Sequence, residues 1–299
     1  MSTTSSSRPA FADKRALVLG GGGSAGNAWL IGVVAGLCDG GLDVTGADLV
    51  IGTSAGATAT AQLGGASPAD LLAAVLSTPI SQVPSGQRGP ISLAHLERID
   101  AVIAASADLP DMRRRIGADA IELAVAAGAA GRERWRATVA ARLPSPHWPG
   151  SNVLLTVVDA DTGEPVELDR DSGVDLVDAV AASCAGGPAY AIDGRHYVDG
   201  GYRRSSENAD LAAGHGRVLV LSPLGGRTRH PTRWRSDLAA QVEELRAGGS
   251  TVTTVLPDAD SLEAFGDNMM NPSTRPAAAR AGHCQGLRLA AEIAGFWRR

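Results

Sequence analysis

The first apolar run of the chain, residues 15–19 (RALVL), breaks off into four consecutive glycines, Gly20 to Gly23. A short run without polar alternation that ends in a backbone-exposing loop predicts a buried parallel strand. Residues 27–37 (NAWLIGVVAGL) are largely apolar around the helical circumference, which predicts a helix buried against a sheet and stopped by Asp39-Gly40-Gly41. A second strand is expected at 48–51 (DLVI), turned by Gly52-Thr53-Ser54-Ala55-Gly56 into an Ala-rich helix that ends near Leu63. Strand, loop and helix thus occur twice in succession.

From 67 to 143 the pattern is mostly helical (PADLLAAVLS, LAHLERIDAVIAA, DAIELAVAAGAAGRERWRATVAARL), interrupted by a Pro/Gly stretch at 79–90. This reads as a helical insertion lying over the sheet. Further buried strands are expected at 152–158 (NVLLTVV), 217–221 (RVLVL) and 251–256 (TVTTVL), and 164–168 with 195–198 are expected to form a smaller pair. Residues 276–297 read as a closing helix, and no repeat of fixed period is visible.

Composition narrows the class. With 299 residues, 44% hydrophobic and 20% charged, the chain can bury a core as a single α/β domain over 13–299, preceded by a flexible polar tail at 1–12. Lys and Arg total 27 against 32 Asp and Glu, a net charge of -5 with no basic block, so nucleic acid is not an expected partner. Aromatics are 4% and glycines number 37, so the core must be Ala, Val, Leu and Ile at close approach. Cys38, Cys184 and Cys284 show no metal or redox spacing and read as small buried residues in a reducing compartment. The polar N-terminus lacks the apolar region of a secretory signal, and the longest apolar stretch, 28–37, is short of the roughly 18–20 residues that span a bilayer. A soluble cytoplasmic protein is expected, with peripheral membrane contact compatible.

Two glycine-rich segments carry candidate chemistry. Gly52-Thr53-Ser54-Ala55-Gly56 matches G-x-S-x-G, a strained strand-to-helix turn that leaves a serine hydroxyl exposed at a helix N-terminus, where backbone N–H groups favour developing negative charge. Gly21-x-Gly23-x-x-Gly26 fits a dinucleotide fingerprint, but the second strand ends in the serine turn instead of the acid that would hold a ribose. The other reading is an oxyanion loop, in which glycines leave N–H groups open to a substrate oxygen. A serine nucleophile needs a base. His95 and His147 fall in the insertion, His215, His230 and His283 have polar or Gly-rich surroundings, and His196 lies on a strand of unknown direction. Asp199-Gly200-Gly201, following the strand at 195–198, is the better candidate.

The glycine loop after the first strand, G-T-S-A-G after the second and a distant D-G-G, in that order and with a helical insertion between, resemble the patatin-like phospholipase family over roughly 15–221. The resemblance implies a three-layer α/β/α fold with a mainly parallel central sheet and a Ser-Asp dyad without histidine. It assigns Ser54 as nucleophile and Asp199 as base. Gly21, Gly22 and Gly23 become the oxyanion loop, and Gly26, Gly52, Gly56, Gly200 and Gly201 support the motifs. The implied activity is hydrolysis of lipid acyl esters without metal or cofactor, and the same acyl-enzyme could serve transfer to an alcohol or thiol. A non-catalytic lipid-binding protein is the rival reading. Trp29, Leu30 and the 67–143 insertion are the expected walls for an acyl chain. Two departures bear on substrate preference: Ala25 stands where the family often has Arg or Lys, and 183–190 is shorter and richer in glycine than the family's Pro-containing loop.

Overall fold

The computed structural model describes residues 13–77 and 93–298, so the expected tail and the Pro/Gly stretch at 79–90 lie outside the described residues. In chain order the elements are β1 (Arg15–Leu19), α1 (Gly23–Asp39), β2 (Leu49–Gly52), α2 (Ala55–Leu63), α3 (Pro68–Ser77), α4 (Leu93–Ala105) and α5 (Leu109–Ala140). There follow β3 (Val153–Asp159), β4 (Pro165–Leu168), α6 (Leu176–Ser183), β5 (Tyr190–Ile192) and β6 (Arg195–Asp199). The chain closes with β7 (Arg217–Leu221), α7 (Leu238–Ala247), β8 (Thr251–Val255), α8 (Ala259–Phe265) and α9 (Arg275–Trp297). Helix α1 begins at Gly23, earlier than the expected 27, because its first turn is Gly-Ser-Ala-Gly and carries no apolar signal.

Strands β3, β2, β1, β7 and β8 are parallel neighbours in that order, and β4, β5 and β6 add an antiparallel margin. Alternation along β1 makes the layers. Leu17 and Leu19 face a cluster built with α1, α2 and α9, whereas Ala16 and Val18 face Val220, Leu238 and Val242 on the other side. Both faces are covered, as a mainly parallel sheet requires. The described parts of the insertion, expected to lie over the sheet, reach both of its faces. The first half of α5 packs Met112 and Ile116 on Val158 and Val198; beyond a kink at Gly128 (φ 62°), Trp135 and Val139 join the opposite cluster.

The segments 164–168 and 195–198 are both strands but do not pair with each other. Each pairs with β3, on opposite edges: Val157 lies between Val166 of β4 and Asp199 of β6. Leu155 lies between Leu168 of β4 and Gly52 of β2. Strands β2 and β6 therefore occupy successive stretches of one edge of β3. β2 ends beside Leu155 and β6 ends beside Val157, about 7 Å further along at strand rise. The sheet register itself brings the ends of β2 and β6 close together along β3.

Candidate active site

Ser54 sits two residues beyond the end of β2 with φ 53° and ψ -113°, a left-handed conformation that L side chains rarely adopt. The glycines explain how the turn fits. A Cβ on Gly56 would run into the Leu19 carbonyl at the end of β1, and one on Gly52 would meet Thr60 Oγ1 and Ala57 Cα at 2.6 and 2.7 Å. Helix α2 is thereby drawn hard against the strand ends, and Ser54 is left partly exposed at its N-terminus.

Asp199 ends β6 and reaches the same spot. Its Oδ1 accepts from the Gly201 N–H at 2.8 Å, and the Ser54 side chain lies near enough to its carboxylate to lower its pKa. Burial raises its pKa from 3.8 to about 6, outweighing the Gly201 N–H and the Ser54 side chain, which lower it. Gly200 has no room for a side chain because its Cα rests on the Thr156 carbonyl, in the gap that β2 and β6 leave along β3.

Three residues after α6 begins to close, Ser183, Cys184 and Ala185, grip both chain segments. The Ser54 N–H donates to Ser183 Oγ at 2.9 Å, the Cys184 thiol donates to the Ser54 carbonyl at 3.1 Å, and the Asp199 N–H donates to the Ala185 carbonyl at 3.0 Å. Burial pushes the Cys184 thiol up to about 12, so it acts as a neutral donor. This stretch was legible only as a Gly-rich loop.

Beneath the pair lies a polar knot that the sequence reading did not single out. Asn208 is fully buried in a left-handed conformation (φ 52°). Its Nδ2 lies 2.9 Å from the Gly200 carbonyl, 3.1 Å from Thr53 Oγ1 and 3.2 Å from Thr156 Oγ1, and the two threonine hydroxyls are 2.9 Å apart. One side chain thus ties the peptide before Ser54 to the peptide after Asp199. Next to it the buried Glu207 accepts from Ser205, Ser206 and Ser222 hydroxyls at 2.6 to 2.7 Å, three donors that compensate its burial. The only signal was a polar run, Ser205-Ser206-Glu207-Asn208, shortly after D-G-G.

The glycine loop abuts the serine: a Cβ on Gly21 would lie 3.5 Å from Ser54 Cβ. Its N–H groups are not equivalent. Gly20 donates to the Leu221 carbonyl and Gly21 to the Ser206 carbonyl at 2.8 Å, so Gly21 anchors the loop and its N–H is not open to a substrate. Among the described residues, nothing accepts from Gly22 or Gly23. Gly26 packs its Cα near Pro223 and donates to the Gly22 carbonyl.

No histidine whose side chain is described is held at this pair. His196 faces Asp161 (Nδ1 to Oδ2, 3.3 Å), His215 the Ala212 carbonyl, His230 the Ser236 hydroxyl and His283 Asp39. The side chain of His95 lies outside the described residues. Trp29 and Leu30 are not pocket walls: both are fully buried, and Trp29 is wedged against Phe265 with its Nε1 donating toward Ser261 and Gln285. Nor are the cysteines uniformly buried, since Cys284 is exposed. Among the described residues no group of three or more His, Cys, Asp or Glu could hold a metal ion, and no helix is long and apolar enough to cross a membrane.

The sequence profile of the family described as "Patatin-like phospholipase" matches residues 17–213. Among solved structures, VipD from Legionella pneumophila is similar at a TM-score of 0.43 and 13% identity, over 94% of this chain and 67% of that one. The type III effector protein ExoU is similar at a TM-score of 0.36 and 17% identity, over 93% of this chain and 53% of that one. Comparison with curated proteins finds no match.

Proposed function

Because the chain belongs to the patatin-like phospholipase family, we propose that it hydrolyses carboxylic esters of lipids with Ser54 as nucleophile and Asp199 as its base. The observation that carries the reading is the meeting of a serine in a strained turn with a carboxylate whose pKa is raised to about 6. Such a carboxylate is ionised at neutral pH yet basic enough to take a proton in the transition state.

The Ser54 hydroxyl gives its proton to Asp199 as Oγ bonds to the ester carbonyl carbon, and the carbonyl oxygen becomes an oxyanion. The open N–H groups of Gly22 and Gly23, at the N-terminus of α1, are placed to receive it. Collapse breaks the bond to the alcohol, which leaves with the proton from Asp199, and the acyl group stays on Ser54. Water then repeats the sequence: its proton goes to Asp199, its oxygen to the carbonyl carbon, and the acid departs as Oγ regains a proton. Asn208 and the 183–185 segment act as positioning residues, holding the two peptides whose side chains must meet.

Ser54→Ala tests the nucleophile. Hydrolysis of a p-nitrophenyl ester is expected to fall at least about a thousandfold, the scale of removing a covalent nucleophile, and fluorophosphonate labelling to vanish, with an unchanged circular dichroism spectrum. A folded alanine variant that still labels puts the nucleophile elsewhere.

A further inference from the structure

The middle of α5 stands clear of the rest of the molecule. Residues 123–131 (LAVAAGAAG) form a run without a charged or polar side chain, between Glu122 and Arg132. Val125 is 78% exposed, and the residues that follow it, Ala126 to Ala130, are all exposed as well. These consecutive positions exceed one helical turn of about 3.6 residues, so no face of the stretch packs on the described chain. At its centre Gly128 takes φ 62° and ψ -177°, a conformation essentially restricted to glycine, and a Cβ there would meet nothing within 4 Å. The two halves of α5 therefore meet in a projecting apolar elbow.

Both roots of the elbow are tied to the wall of the candidate site. The Ala120 carbonyl accepts from the Ala189 N–H at 2.9 Å, and Arg132 Nη1 reaches the Ala191 carbonyl at 3.5 Å. Ala189 closes the short loop that includes Gly186, where a Cβ would lie 3.8 Å from Asp199 Oδ2. Beyond the second root, Trp135 donates to the Ala181 carbonyl at 3.0 Å and Arg136 to Asp178 at 2.9 Å, both on α6, the helix that delivers Ser183 to the Ser54 N–H. Charge along this stretch is uneven. Arg132 and Arg134, both exposed, follow the apolar run directly with Glu133 between them, and so place a local positive charge at its end in a protein whose net charge is -5.

We propose that this elbow enters the surface of a lipid bilayer, with Leu123, Val125 and the alanines among the acyl chains and Arg132 and Arg134 at the level of the lipid phosphates. The proposal deepens the reading of Ser54 as nucleophile for lipid esters and rests on it for its purpose: an elbow seated in the bilayer brings the wall beside Asp199 to the surface that holds the substrate. Exposed apolar side chains gain from burial in proportion to their area, and arginines flanking such a segment extend their charged ends to the phosphate layer. A protein partner is the poorer fit. Its binding energy would rest on aromatic or arginine anchors set in pockets, whereas the elbow projects and offers small apolar side chains on every side.

The test has a binding arm and a rate arm. In the first, full-length Ser54→Ala protein is sedimented with vesicles of phosphatidylcholine, alone or with an equal share of phosphatidylglycerol. Tighter binding is expected on the mixed, anionic vesicles. Adding Val125→Asp should weaken binding to both at least about tenfold, because it removes a buried branched side chain and puts a charge in its place. Arg134→Gln should weaken it about fivefold on the mixed vesicles alone, the scale of one arginine at an anionic surface. Leu287→Asp, at an exposed apolar position on α9, should leave both unchanged. In the second arm, protein with Ser54 intact hydrolyses a short-chain p-nitrophenyl ester in solution and a long-chain one embedded in the vesicles, and Val125→Asp should lower the vesicle rate alone. Failure of the parent protein to bind vesicles, undiminished binding by Val125→Asp, or equal losses in Val125→Asp and Leu287→Asp overturns the proposal. So does a dimer in sedimentation velocity that Val125→Asp dissolves, which would make the elbow a contact between copies. If neither ester is hydrolysed, the nucleophile reading has failed, and the binding arm still decides the elbow.

Discussion

Glycine does opposite work at two places in this molecule. At the strand ends, Gly52, Gly56 and Gly200 let polypeptide bend tightly around Ser54 and Asp199, and the strain falls on a non-glycine residue, Ser54, at φ 53°. Along α1 and α9 the glycines instead let two helices touch backbone to backbone. A Cβ on Gly32 or Gly36 would strike the Ala279 or His283 carbonyl, and one on Gly282 or Gly286 the Trp29 or Val33 carbonyl. The seam is a place of complementarity and the elbow a place of stored strain. The seam also crosses the boundary of the family match at 213, so α9 is built onto the core by close packing. It carries Arg275 to the glycine loop as a result.

The contrast can be broken by two substitutions whose signs run against helix and loop expectation. The larger effect belongs to the seam. Gly→Ala inside a helix ordinarily stabilises by about 1 kcal/mol, but Gly36→Ala should cost about 1–3 kcal/mol, because the methyl meets fixed backbone and forces the helices apart. Urea unfolding with an unchanged m-value would register it, and a stabilised variant would mean the seam yields freely. The smaller effect belongs to the elbow. Ser54→Gly should stabilise by about 1 kcal/mol while abolishing activity, since glycine adopts φ 53° without penalty. A loss of stability there would mean that the turn is not strained.

The sequence made local structure legible and left non-local pairing hidden. The apolar runs at 15–19 and 217–221 coincide with β1 and β7, and the closing helix differs from α9 by a single residue at its start, because burial on both faces writes itself into composition. The pairing of 164–168 with 195–198 failed because both strands look alike locally, and only β3 between them decides which edge each takes. Trp29 and Leu30 read equally well as pocket or core, and α8 and α9, distant in sequence, settle it by burying them. In the site, glycine and serine motifs stand out because the turn demands them. Asn208, Glu207 and Ser183 do not, since their roles depend on which segments the sheet register brings together. Gly21 shows the same limit: its neighbourhood was legible, but that its N–H serves Ser206 was not.

The central claim is that Asp199 is the base for Ser54, and the pH dependence of kcat/KM on a soluble p-nitrophenyl ester tests it most directly. With its pKa raised from 3.8 to about 6, Asp199 is ionised above that value and protonated below it, so wild-type activity should be full near pH 8 and fall about tenfold per unit below pH 6. Stability should run the other way. The partly buried carboxylate is easiest to fold when protonated, so its contribution is fully present below about pH 4 and lost as pH rises through 6; Asp199→Asn should therefore melt higher than wild type at pH 8 and no higher at pH 4. The same variant should lose at least about a hundredfold in kcat/KM and with it the inflection near pH 6. An Asp199→Asn protein that keeps most of its activity, or keeps the inflection until His196 is replaced, would contradict the account.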